Sequence, residues 1–257
     1  MAKVSVLMII SKYFGTDGHG IVINNLCINL QKIGYDVAIG AFSFVNEPPE
    51  NIKKIYLKKF RNINSSGFKA DIIHSHQTHM NYYSLFSSVP FLFHYHGTAS
   101  TMQEKNLKIS SYICRNKINK IVAVSNSAKN ALIDKVGKIP IDVIYNGVDS
   151  NLFSDEKKNN SSNNIKLLFV GNLFRHKNVV ELIDAMPLIL KKYPFTILEI
   201  VGDGEQFNII KNKIKEKNLT SNIKLLGKIP NLKLNQIYIS SDIYISASTK
   251  EAFPIPL

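Results

Sequence analysis

The sequence predicts an α/β protein made of two doubly wound domains. Two observations carry that prediction. Short apolar runs alternate with segments of helical period along the whole 257-residue chain, the pattern of buried parallel strands joined by covering helices. The alternation breaks once, over residues 155–164, where there is no apolar side chain and a flexible linker is expected. The expected organisation is a first domain over 1–150, a linker over 151–164 and a second domain over 165–257. The length suits two domains of ordinary size.

Strands are expected over 4–10, 36–42, 52–58, 71–76, 90–96, 120–125 and 142–145, each a short run of mainly apolar residues. The first helix is expected over 20–33, where Ile21, Asn24, Asn25, Ile28 and Leu30 recur near one helical period and Gly34 supplies a stop. Beyond the linker the pattern restarts: strand 166–170, helix 179–193, strand 196–201, helix 206–218, strand 223–226, helix 232–240 and strand 243–247. The 179–193 helix carries Val180, Ile183, Met186 and Leu190 on one side. It closes with Lys191 and Lys192, which suit the negative end of the helix dipole. Open parallel sheets bind ligands at the carboxyl ends of their strands, and a cleft between two such domains is the expected ligand site.

Composition narrows the class. With 45% hydrophobic and 20% charged residues the chain reads as a globular protein. No apolar run approaches the ~20 residues that span a bilayer. The apolar start is followed by Ser11 and Lys12, which favours a first strand over a secretory signal. Two lone cysteines, Cys27 and Cys114, point to a reducing compartment, with the cytoplasm expected. The formal charge of +13 is densest at Lys53, Lys54, Lys58, Lys59 and Arg61, with Lys69 nearby. This cluster reads either as a solvated face or as a surface for anionic lipid head groups. Nucleic acid is not expected, because the aromatic residues do not interleave with the basic ones.

Several constellations could carry chemistry. Gly171 and Asn172 close a strand, and Lys177 follows just before a helix, so backbone and ammonium could both approach a phosphate. Gly202, Asp203 and Gly204 form a tight turn after the next strand. It is not a dinucleotide fingerprint, since Phe207 stands where the third glycine would be. Asp17 and Gly18 precede the first helix, where a carboxylate would repel phosphate unless it faced away. Five of the seven histidines, His74, His76, His79, His94 and His96, fall between residues 74 and 96, and His74 with His76, like His94 with His96, would share a face of a strand. No carboxylate or cysteine joins them, so a metal site is not expected, and for His96 a buried, hydrogen-bonded structural role stays open. Glu251 follows an apolar strand, ahead of Phe253, Pro254 and Ile255, where the proline would let neighbouring backbone N–H groups at a helix start face an anion. There is no Gly-x-Ser-x-Gly elbow, Walker A loop or Cys-x-x-Cys pair.

Taken in order, these segments resemble landmarks of the glycogen-synthase-like retaining glycosyltransferases of family 4. They are Asp17-Gly18, His96-Gly97, Val124-Ser125, Asn146-Gly147-Val148-Asp149, Gly171…Lys177, Gly202-Asp203-Gly204 and Glu251-Ala252-Phe253-Pro254. The resemblance implies the GT-B fold, two Rossmann-like doubly wound domains. It implies a UDP- or GDP-sugar donor, a sugar or lipid-linked acceptor, retention of configuration, and no metal or other cofactor. Lys177 would grip the diphosphate with Gly18, Gly171 and Asn172 close by. Gly202 would shape a turn near the base and ribose, His96 would face the donor sugar, and Glu251 would hold sugar hydroxyls. Backbone N–H groups around Phe253, Pro254 and Ile255, a stretch in which the proline itself has none, would meet sugar or phosphate.

Asn172 occupies the family's Arg position and Asn178 its Gly position; Arg175 is a candidate replacement for the Arg. The family's second Glu would fall two positions past Leu257, so an incomplete second domain is expected. Three readings stay open: an enzyme of bacterial surface-polysaccharide or glycolipid synthesis at the inner face of the membrane, a truncated inactive remnant, and a non-catalytic nucleotide-binding or scaffold protein.

Overall fold

The apolar run at the start of the chain becomes strand β1 (Ser5–Ile9), in which Leu7, Met8 and Ile9 lose all solvent contact. Burial of successive residues means that both faces of the sheet are covered. The computed structural model describes residues 3–58, 67–97, 101–148 and 164–253. The chain divides into two units, Met1–Val148 and Asp149–Leu257. The expected linker lies outside the described residues except for its last position.

In the first unit, β1 is followed by β2 (Lys12–Tyr13), α1 (Gly18–Lys32), β3 (Asp36–Ala41), β4 (Ser43–Phe44), β5 (Lys53–Tyr56) and β6 (Ile72–Ser75). A 3-10 segment (Thr78–Phe86) leads to β7 (Phe91–Tyr95), α2 (Thr101–Cys114), β8 (Lys120–Ala123), α3 (Asn126–Val136) and β9 (Ile141–Val143). Seven strands pair in parallel in the order β5-β3-β1-β6-β7-β8-β9, and β2 with β4 forms a small separate pair. Chain direction across the sheet reverses at β1, so the gap between β1 and β6 is the topological switch point where ligands are received. The core beside it joins Val6, Met8 and Ile10 to Ile23, Cys27, Val37 and Ile39. Asn24, which sits in the helix stripe, is an anchor: it accepts from the Tyr13 hydroxyl at 2.5 Å and donates to the Gly15 carbonyl at 3.0 Å.

The second unit runs β10 (Lys166–Val170), α4 (Val179–Lys192), β11 (Ile197–Val201), α5 (Phe207–Glu216), β12 (Ile223–Gly227), α6 (Asn231–Ile239) and β13 (Ile243–Tyr244). The parallel order is β12-β11-β10-β13, with its reversal between β10 and β13. Ile183, Met186, Ile210 and Ile214 from the helices close over Phe169, Leu198 and Ile200 of the sheet. The last strand is shorter than the 243–247 expected: only Leu167↔Ile243 and Leu168↔Tyr244 pair with β10, and Ile243 is exposed.

Two helical segments, the 3-10 segment and α2, are not visible as apolar stripes in the sequence. In α2 the buried positions are Leu107, Ser110, Ser111 and Cys114, and two serines blur the pattern by which a helix is recognised. Cys27 and Cys114 are both free and buried.

Candidate active site

In the second unit the loops after β10, β11 and β13 converge on one end of the sheet. Leu173 is fully buried and fixes the first loop. Its N–H donates to the Asp203 carbonyl at 2.9 Å, and its carbonyl accepts from the Gln206 N–H at 3.0 Å. Two glycines make this close stacking possible. Gly202 and Gly204 have φ of +143° and +157°, and a Cβ on Gly202 would lie 1.8 Å from the Gly171 carbonyl oxygen. The Gly171 N–H donates to Val201 and the Gly202 N–H to Gly227. These amides therefore extend the sheet by a rung; neither faces outward to a ligand.

A single 3-10 turn, Arg175–Lys177, follows, and Asn178 then takes a left-handed conformation with φ of +54° before α4 begins. That conformation disfavours a Cβ, and Asn is among the few side chains that tolerate it. It accounts for an Asn where the resembling family has Gly. The third loop is tied to this turn: both the N–H and the hydroxyl of Thr249 donate to the His176 carbonyl, at 2.9 and 3.2 Å. The result is a partly exposed ion pair between the Lys177 ammonium and the Glu251 carboxylate, whose side chains are 17% and 28% exposed. Tyr244 lies under the pair, donating to the Val170 carbonyl at 3.3 Å. Burial, reinforced by the negative charge of Glu251, pushes its phenol up to about 12. Burial and the neighbouring Lys177 hold the His176 imidazole below its usual range.

Of the residues predicted from sequence, Gly171, Asn172, Lys177, Gly202 and Glu251 thus gather at this end of the sheet, with Asn172 exposed. Phe253 is half-buried just beyond, and Pro254 and Ile255 lie outside the described residues. Arg175 is exposed on the same turn, its N–H donating to Glu205 at 3.3 Å. His176 and Thr249, which hold the two loops together, carried no motif and were not anticipated.

In the first unit, helix α1 starts two residues earlier than expected, so Gly18 is its first residue and not part of a loop. Asp17 caps it, accepting from the Gly20 N–H at 2.8 Å. The carboxylate turns into the helix end and fills the place where an anion would dock. Gly20 is required there, since a Cβ would sit 2.6 Å from the Gly15 backbone. His19 meets His96 edge-on, with ring centroids 4.7 Å apart.

His96 belongs to a stack that β6 and β7 assemble. Rings of His94 and His96 are 4.3 Å apart, those of His74 and His76 4.4 Å, and Nδ1 of His76 lies 3.1 Å from Nε2 of His96. Burial comes first, followed by the neighbouring imidazoles, in keeping His74, His76 and His96 far below the ordinary histidine range; burial also takes His94 down to about 4. The stack is therefore neutral at pH 7. Nitrogens of His74, His76 and His94 come within 4.8 Å of one another. The three rings are tilted by only 29°, 6° and 33° in their pairs. Lone pairs lie in the ring plane, so near-parallel imidazoles aim them side by side and do not converge on a tetrahedral metal.

Known proteins resemble this chain in sequence and in fold. Over 173 residues the chain is 34% identical to an uncharacterized glycosyltransferase of Methanocaldococcus jannaschii, covering 60% of this chain and 43% of that relative. Over 144 residues it is 29% identical to the GPI3 subunit of phosphatidylinositol N-acetylglucosaminyltransferase from Saccharomyces cerevisiae, covering 53% of this chain and 32% of the relative. The chain thus spans between about a third and under a half of these relatives. Among solved structures, HepE of Anabaena in complex with UDP and glucose superposes with a TM-score of 0.77 over 96% of this chain and 75% of its own, at 18% identity. At that identity the likeness is one of fold, the two-unit α/β GT-B fold. Residues 151–257 match the family model for Glycosyl transferases group 1, and residues 16–152 that for Glycosyltransferase Family 4. With more than half of its residues in the latter match, the chain belongs to glycosyltransferase family 4.

Proposed function

We propose that the protein is a retaining hexosyltransferase that moves a sugar from a nucleotide-diphosphate donor to an acceptor hydroxyl. The pairing of Lys177 with Glu251 at the switch point of the second sheet carries this reading. Before a donor arrives, the ammonium and the carboxylate satisfy one another. A diphosphate competes for Lys177 because it brings more negative charge than one carboxylate. Its arrival releases Glu251 to accept hydrogen bonds from the sugar hydroxyls. As the glycosidic bond breaks, charge builds on the leaving diphosphate. Lys177 is then fixed where that charge develops, the arrangement that lowers the barrier most. In the first unit the same reading assigns a sugar contact to His96, whose neutral ring is a hydrogen-bonding group and not a charge.

The nucleotide is UDP or GDP; the HepE complex, with UDP and glucose, supports UDP. A lipid-linked acceptor at the inner face of the membrane, in bacterial surface-polysaccharide or glycolipid synthesis, agrees with the net charge of +13 and with a relative that glycosylates phosphatidylinositol. No helix among the described residues is long and apolar enough to cross a membrane.

The test is calorimetric titration of the 257-residue chain with UDP- and GDP-sugars, followed by an assay for slow donor hydrolysis. Binding and hydrolysis that both fail in Lys177→Ala support the transferase. Binding without hydrolysis supports a non-catalytic nucleotide-binding protein, and no binding at all supports an inactive remnant.

A further inference from the structure

Helix α2 turns most of its large apolar residues away from the protein. Its buried stripe is Leu107, Ser110, Ser111 and Cys114, whereas Met102 and Tyr112 are 71% and 70% exposed and Ile109 and Ile113 about half exposed. At 3.6 residues per turn, Met102, Ile109, Tyr112 and Ile113 fall on the side opposite the buried stripe. Lys105 stands within this ridge, between Tyr112 and Ile109 around the helix, and the exposed Lys108 and Arg115 run along one border, the latter with its guanidinium 4.9 Å from the centre of the Tyr112 ring. Glu104 is the only acid in the helix. A large apolar ridge with a cationic border is costly to leave in water and marks a docking face.

We propose that this face docks the first unit on an anionic lipid surface, with the Met102–Ile113 ridge in the head-group boundary and Lys105, Lys108 and Arg115 on lipid phosphates. Charge selects that occupant. A two-fold contact between copies would set each cationic border against another of the same charge, while anionic head groups complement it. The basic cluster expected from sequence serves this purpose less well: Lys53 is paired with Asp36 at 3.2 Å and Lys54 with Glu47 at 2.6 Å. The surface stands independently of the proposed transfer reaction, and its test measures no activity.

The 257-residue chain is sedimented with phosphatidylcholine vesicles, with and without phosphatidylglycerol, at low and high salt. Salt-sensitive binding to the anionic vesicles alone is expected. The double variants Ile109→Ser/Tyr112→Ser and Lys105→Glu/Lys108→Glu should each weaken it by roughly tenfold or more. Since the protein has no Trp, Tyr112→Trp gives a single reporter whose emission should shift to the blue on anionic vesicles. These positions are exposed, so unchanged thermal melting shows that the variants fold. Wild-type affinity in either double variant, or a Trp that stays in water on bound vesicles, overturns the proposal. So does a dimer that the serine variant dissociates without any effect on vesicle binding.

Discussion

Lys177 and Glu251 stand 74 residues apart in sequence and form an ion pair because β13, the last strand of its unit, returns to the side of β10, the first. The turn after β10 and the loop after β13 are joined by Thr249 on the His176 carbonyl, so both charges are positioned by backbone before any ligand arrives. Such preorganisation lets a cation act on developing charge without first having to move.

If Lys177 acts on the leaving diphosphate, Lys177→Ala should lower donor turnover by about 10²–10³-fold, a loss typical of removing one charge-stabilising group. Stability should change by no more than about 1 kcal/mol, as for other partly exposed ion pairs. The reversed pair, Lys177→Glu with Glu251→Lys, should melt near wild type yet remain inactive. Recovered turnover in that double variant would show that the pair serves structure alone.

At Asn178 the backbone, not a ligand, sets the residue. Asn178→Ala should destabilise by roughly 1–2 kcal/mol, the cost of a Cβ in the left-handed region, and Asn178→Gly should be near neutral. Urea unfolding midpoints measure both. Equal losses in the two variants would point to a role for the Asn side chain itself.

Gly202→Ala would press a methyl group onto the Gly171 carbonyl and separate the first two loops. A loss of about 2–3 kcal/mol is expected, together with weaker nucleotide binding. Gly147 offers a control: a Cβ there meets nothing within 4 Å, so Gly147→Ala should leave the melting temperature unchanged.

Acid should unfold the first unit through its histidines. His94, 4% exposed and with both ring nitrogens unpartnered among the described residues, stays neutral in the fold down to about pH 4. In the unfolded chain it takes up its proton near the usual value of about 6.5. Above that pH neither state is protonated and stability is level. Below it only the unfolded state binds the proton, so stability falls as pH drops toward about 4, by a total on the order of 3 kcal/mol from His94 alone. Denaturant titrations across this range should show the slope in wild type and a shallower one in His94→Leu. Identical slopes would remove His94 from the explanation.

Much of this architecture is legible in the sequence, for a physical reason. Parallel strands covered on both faces must be continuously apolar, and β1, β3, β7, β8, β10 and β11 stand out on that account. Helix α2 is missed for the complementary reason, since its apolar side chains face solvent and its buried ones include serines. Among the candidate residues, Lys177 and Glu251 are marked by motifs in the sequence, and the structure brings the two together. His176 and Thr249 act through a backbone carbonyl and a small hydroxyl, which leave no pattern to read.

Local hydrophobic pattern and short motifs suffice for the α/β class, the order of the strands along the chain and the family. Which distant residues meet is set by long-range packing. It placed β13 beside β10, closing Lys177 on Glu251. It turned Asp17 into its own helix and stacked four histidines as neutral rings. It also assigned Gly202 to a contact between two loops. Each of these outcomes depends on strand neighbours and on the space between backbones, quantities fixed by long-range pairing and absent from any local stretch of chain.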